Sequence, residues 1–229
     1  MSFFLPIFYS SVLAAVHFYN EKIQIRNEYI RTRALSFVAG ISVTYVFLNL
    51  LPEVYKGFAF FDRFIFITLL LGFVVAHLTE KYVYQHVSVE TVREKLGEIH
   101  SLAFFLYHFT IGVILVDLSR DNALRAVLFF LPILFYSAVG LIALERVHPK
   151  IWESPAVKLL LSLSTLFGVL FADSLLRLET IFSLLLAFVV GLFLYIVLID
   201  FIPKEAKGRS EYFALGVFTY TILIVATFA

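Results

Sequence analysis

Apolar positions in this chain do not alternate, and they do not recur on one helical face. They come in long uninterrupted runs, each closed by charges, Pro or Gly. Eight runs can be marked: Phe3–Phe18, Ala34–Leu51, Phe64–Tyr84, Ile99–Leu118, Ala123–Leu144, Ala156–Leu176, Ile181–Ile202 and Tyr212–Ala229. A bilayer-crossing helix needs about 20 mostly apolar residues. The pattern therefore predicts an all-α integral membrane protein with eight transmembrane helices. The first run has no basic residue before it and no small-residue cleavage pattern, so it reads as a span and not as a signal peptide. The longest hydrophilic stretches, residues 19–33 and 85–98, are too short for a packed soluble core, so residues 1–229 form a single transmembrane domain.

Composition agrees. Hydrophobic residues make up 61% of the 229 and charged residues 15%, against roughly 45–50% and 25% in soluble domains. A net charge of +1 gives no field to attract nucleic acid. With no cysteine, disulfides and thiolate metal sites are excluded. Lys and Arg are distributed unevenly between alternate loops. Thirteen of the eighteen fall in the loops, or at the span ends beside them, that join spans 1–2, 3–4, 5–6 and 7–8. The other five are Lys56, Arg63, Arg120, Arg125 and Arg177. Positive charge marks the cytoplasmic side, so both termini are expected outside. The small size and short loops suggest a prokaryotic inner membrane.

Spans 2 and 7 end alike. GISVTYVFLNLLPEVYKG and GLFLYIVLIDFIPKEAKG align without gaps at an offset of 151, matching Gly40 to Gly191, Asn49 to Asp200, Pro52 to Pro203, Lys56 to Lys207 and Gly57 to Gly208. Spans 2 and 7 would cross in opposite directions. This is the mark of an inverted repeat of the kind found in secondary transporters, with a 3+2+3 order in which spans 4 and 5 lie between two triplets. Gly, Pro and Lys also recur at helix ends for local reasons.

The span order, outside termini and these two endings resemble the ZIP (Zrt-, Irt-like) metal-ion transporters. Asn49-Leu50-Leu51-Pro52-Glu53 is similar to that family's His-Leu-Leu-Pro-Glu-like ending on the second helix. Gly191 to Glu205 follow its seventh-helix pattern, GTFLYVALVDMLPE. The resemblance implies a multi-pass transporter of divalent ions such as zinc or iron, the ion being substrate rather than a required cofactor, and a homodimer. The family's metal motifs on helices 4 and 5, HNxxDG-like and HExxxE-like, are degenerate here. Tyr107, His108 and Ile111 stand at the first three ligand positions, and Phe129, Phe130 and Leu134 at the others. A divalent ion needs several His or carboxylate ligands to replace its water shell, so the substrate is either a divalent cation at a weakened site or a small polar solute. The alternative is a non-transporting ZIP-fold protein with a structural, sensing or partner-binding role.

Among residues inside the spans, His108 sits near the centre of span 4 and is the candidate metal ligand. Its other reading is a core histidine bonded to a neighbouring helix. His100 lies two turns earlier on nearly the same face. Tyr107 and Thr110 add hydroxyls, and Asn49 and Asp200 mark either two gates or two helix caps. These five form the expected substrate path. Pro132 frees a carbonyl in span 5, with Tyr136 and Ser137 one turn on. Asp173 and Arg177 are spaced as an i,i+4 ion pair, and Asp117 has Arg120 close by. His77 and Glu80 share a face at the end of span 3, and the segment from His86 to Glu98 reads as a solvated connector. An intramembrane enzyme would need several His, Asp or Glu converging at one depth, so an enzymatic role is not expected.

Overall fold

The computed structural model describes residues 4–19, 27–88, 91–147, 154–201 and 208–225. All regular structure among them is helical. Helix α1 is Phe4–Tyr19. Helix α2, Glu28–Tyr45, passes through a π-helical turn, Val46–Leu50, into α3, Leu51–Lys56. A short α4, Phe58–Phe61, precedes α5, Phe64–His86; then follow α6, Val92–Asp121, and α7, Ala123–Val147. Helices α8, Pro155–Ser162, and α9, Ser164–Leu176, are two halves bent by 47° at Leu163. Helix α10, Glu179–Ile196, ends in a second π turn, Val197–Phe201, and α11 is Ser210–Val225.

Among the described residues, four helical stretches are long and apolar enough to cross a bilayer: Glu28–Lys56, Phe64–His86, Glu94–Asp121 and Glu179–Ile199. The bent α8–α9 pair makes a fifth if counted as one span, and Phe4–Tyr19, Ala123–Phe135 and Ser210–Val225 are shorter apolar helices. Several boundaries differ from the apolar runs. Span 2 starts at Glu28 and not at Ala34, because the Asn27 side chain caps the amides of Tyr29 and Ile30 at 3.0 and 3.3 Å. The guanidinium of Arg33, one turn in, lies 3.5 Å over the Tyr29 ring. Span 4 starts at Val92, not Ile99, so much of the expected 3–4 connector is helix. Ser88 and Thr91 close the preceding turn with a 2.9 Å hydroxyl contact, and Lys95 pairs with Glu98 on the added helical surface. Span 6 is not continuous: Ser164 Oγ donates to the Leu161 carbonyl at 2.7 Å, diverting it at the break.

Lipid tails are as apolar as leucine, so close packing and not apolar burial holds such helices together. Here glycines permit it. A Cβ on Gly40 would meet the Phe213 carbonyl, and one on Gly216 the Phe37 carbonyl, joining α2 to α11. Gly191 meets the Leu69 carbonyl and Gly72 the Phe188 carbonyl, joining α10 to α5. Gly112 and Gly168 join α6 to α9 in the same way. Each pair is parallel. Along α2 and α11, for example, Ser36 meets Arg209, Gly40 meets Val217, and Asn49 meets Tyr220. Gly57, closing the second span, lies against Ser183 at the start of α10, while α2 meets the π turn at the far end of α10. Helices α2 and α10 therefore run in opposite directions. Gly40 and Gly191, the carbonyls of Phe37 and Phe188 that face Gly216 and Gly72, and the two π turns are each separated by 151 residues.

The core lies where α2, α6, α7 and α10 meet, around Tyr45, Ile111, Ile114, Phe129, Ile133 and Phe193. The outward face of α5, with Phe64, Ile67, Leu70, Leu71 and Leu78, stays exposed, as lipid-facing positions would be.

Candidate functional site

Two cavities touch α6 near its opposite ends. The first, about 250 Å³, is lined by Asn49, Pro52, Glu53 and Lys56 of the second span, by Leu118, Asn122, Arg125 and Phe129, and by Ile224 of α11. Its polar character comes from the Glu53–Lys56 ion pair at 2.6 Å and from Asn49 and Arg125. The second cavity, about 220 Å³, lies between α5, α6 and α10 and is mostly apolar, with Glu80, His100 and Tyr195 as its polar groups. Tyr195 donates to Glu80 at 2.7 Å, and the His77 ring lies 5.7 Å from the Tyr195 ring. Glu80 thus turns toward α10, while His77 and Lys81 stay exposed. On α6 the cavities reach Leu106 from one end and Leu118 from the other. Twelve residues, about 18 Å of helix, separate them.

That interval is closed by rings. Tyr107 stacks on Phe193 with centroids 4.0 Å apart, and Tyr45 meets Phe129 edge-on at 5.5 Å. Tyr9 stacks on Phe130 at 4.6 Å. Tyr107, Phe129 and Phe130, the aromatic residues that the resemblance sets opposite metal ligands, are thus packed into the core.

A polar cluster sits beside this barrier. His108 is 0% exposed and His17 of α1 is 1% exposed, and their rings meet edge-on at 4.4 Å. Phe104 stacks on His108 at 4.0 Å and meets His17 at 5.0 Å. His108 Nδ1 lies 3.2 Å from the Phe104 carbonyl, which can only accept, so Nδ1 carries the proton and Nε2 the lone pair. His17 Nε2 lies 2.8 Å from Ser137 Oγ of α7. Among the described residues, neither His108 Nε2 nor His17 Nδ1 has a partner. Ser162 and Thr165, flanking the α8–α9 break on helices packed against α1 and α6, also carry unpartnered buried hydroxyls. A buried orphan polar atom costs about 1–3 kcal/mol, so a cluster of them marks a place where the fold is not optimised for stability alone.

The expected path residues divide among these places. His100 lines the apolar cavity, Asn49 the polar one, and Tyr107 belongs to the barrier. The cavity that His100 lines does not include His108. Thr110 donates to the Leu106 carbonyl of its own helix at 2.8 Å. Asn49 caps no helix: its amide donates to Tyr220 Oη at 2.6 Å, and Tyr220 donates to the Leu128 carbonyl at 3.1 Å. Leu128 lies four residues before Pro132, so Tyr220 takes up the carbonyl that proline leaves without an amide. The side chains of Asp200 and Tyr136 lie outside the described residues. Asp173 pairs with Arg120 across α9 and α6, and not with Arg177 as its spacing suggests. Reasoning from sequence missed His17, an isolated imidazole in an apolar run; its position inside a span was the available signal. Among the described residues, no three His, Asp or Glu side chains are grouped to hold a metal ion.

No protein-family model and no curated protein matches this chain.

Proposed function

We propose that the chain is a multi-pass membrane transporter of the ZIP-like kind, crossing the bilayer eight times as two inverted triplets around α6 and α7. The observation that carries this reading is the pair of cavities at opposite ends of α6, separated by a ring-filled interval of about 18 Å. Alternating access needs two vestibules and a closable barrier between them. The inverted repeat is supported by the opposed second and seventh spans and by glycine contacts and π turns recurring at one offset. π turns are frequent at functional sites. By the charge bias, the polar vestibule faces outside and the Glu80–His100 vestibule faces the cytoplasm, with the protein in a prokaryotic inner membrane. The ring-filled centre disfavours a multi-ligand divalent site at the positions where the resembled family places one.

A second reading rests on the same centre. Phe129 and Tyr107 are 2% and 6% exposed and fill the place where a transported ion would pass, which suits a non-transporting relative. Proteoliposome uptake separates the two. The transporter reading expects saturable entry of a divalent or monovalent metal ion, or of a small polar solute, above empty vesicles. No uptake across zinc, iron, manganese, copper and small polar solutes would leave the non-transporting reading.

A further inference from the structure

We propose that His17 and His108 form a binding site for one monovalent transition-metal cation of the Cu(I) type. The proposal stands on the cluster itself and holds whether or not the chain transports. Metal-binding histidines usually give their second ring nitrogen to a carbonyl or hydroxyl, which fixes the tautomer and aims the free lone pair. His108 is arranged this way, and so is His17 when Ser137 Oγ accepts from its Nε2–H. The Phe104 carbonyl holds His108 Nδ1, which leaves the Nε2 lone pair free, and Ser137 Oγ sits on His17 Nε2, leaving Nδ1. Among the described residues, both of these remaining nitrogens, on rings 4.4 Å apart and at most 1% exposed, lack a partner.

The chemistry of the donors selects the ion. Imidazole suits copper, zinc, iron and nickel, but both donors are neutral, and no carboxylate joins them among the described residues. The self-energy of a buried ion scales with the square of its charge, so a divalent ion would incur about four times the desolvation cost of a monovalent one. Two nitrogens can satisfy Cu(I), whereas zinc in a closed site asks for four ligands. With metal–nitrogen bonds of ~2 Å, a linear unit would set the ring centres ~6 Å apart. Loading therefore bends the unit or opens the pair by about 1.5 Å, at the expense of the Phe104 stack.

The chain lends itself to the test, because it has no Cys and one Met, so competing Cu(I) sites are few. Purified full-length protein in detergent is titrated with Cu(I) under ascorbate in competition with bicinchoninate. One tight equivalent is expected, with affinity falling at least tenfold in His17→Gln and in His108→Gln, each checked for monodispersity. Should either variant fail to fold, two measurements on well-folded protein decide the matter. Ag(I) should shift two of the six ¹⁵N-labelled histidine pairs of the parent, and Ser137→Ala should weaken binding about tenfold by releasing the His17 ring. Absence of Cu(I) binding by the parent, unchanged affinity in the double glutamine variant, no shift of two histidines with Ag(I), or Zn(II) competing at equal affinity would each overturn the assignment.

Discussion

The α5–α10 crossing offers a direct test of what holds this bundle together. In Gly72→Ala the new Cβ would fall well inside contact distance of the Phe188 carbonyl oxygen, 2.9 Å from its carbon and 3.1 Å from the Leu192 amide nitrogen. All three are backbone atoms, so no side chain can swing away. Restoring an ordinary C···O spacing of ~3.3 Å moves the helices apart by about 1 Å. A gap of that size forfeits roughly a quarter to a half of each dispersion well of about 0.1–0.2 kcal/mol. Over roughly forty atom pairs the loss is about 1–4 kcal/mol, which brackets the usual cost of overpacking. Unfolding in mixed micelles, followed by circular dichroism against the fraction of denaturing detergent, measures it. Gly191→Ala, at the same crossing, should cost a similar amount, and the double variant less than the sum, because the helices have already separated. Gly57→Ala is the milder comparison: its Cβ would meet Ile65 Cδ1 and Ser183 Cβ at 3.1 Å and the Val54 carbonyl oxygen at 3.2 Å, each needing only a few tenths of an ångström of relief, and the loss should stay under about 1 kcal/mol. Stability of Gly72→Ala within about 0.5 kcal/mol of the parent would refute the claim that backbone approach stabilises this crossing.

Tyr220→Phe removes the donor to the Leu128 carbonyl and the acceptor of the Asn49 amide, and should cost about 1–2 kcal/mol in the same unfolding assay. Pro132→Ala returns an amide to Leu128, so the double variant Pro132→Ala/Tyr220→Phe should recover part of that loss; strict additivity would argue against the carbonyl's role. Because the chain lacks cysteine, Asn49→Cys and Ala103→Cys can be labelled singly with an impermeant maleimide in oriented vesicles. Labelling from opposite sides is expected, and labelling from one side only would contradict the two-vestibule reading. Asp173→Asn breaks an ion pair whose partners are about half exposed, so its stability cost should be under about 1 kcal/mol and shrink with added salt.

Apolar run length located the helices well, because a bilayer-scale segment leaves a plain trace in sequence. It placed their ends poorly. Glu28–Arg33 and Val92–Glu98 are helical turns outside the apolar window, set by the Asn27 cap and the Ser88–Thr91 turn, and hydropathy does not register capping. The Gly40, Asn49 and Pro52 pattern could be read as a repeat from the letters alone, but the π turns around Asn49 and Asp200 could not, since one extra residue in a helical turn changes no composition. Candidate chemistry was legible where it depended on one residue and hidden where it depended on two distant ones. His108 stood out by depth, whereas its neighbour His17 lies 91 positions away and only the crossing of α1 with α6 joins them. For the same reason Asp173 suggested Arg177, four residues on, while its actual partner Arg120 is 53 residues away.

The three glycine contacts limit how this molecule can change shape. Helices α2 with α11, α5 with α10, and α6 with α9 are each fastened where backbone meets backbone, so sliding within a pair would drive main-chain atoms together. The pairs behave as rigid struts, and any rearrangement has to occur along the seams between them, where side-chain rings such as Tyr107 against Phe193 and Tyr45 against Phe129 can re-rotamerise. Under the transporter reading, a cross-link placed inside a strut would leave uptake intact, and one placed across a seam would abolish it.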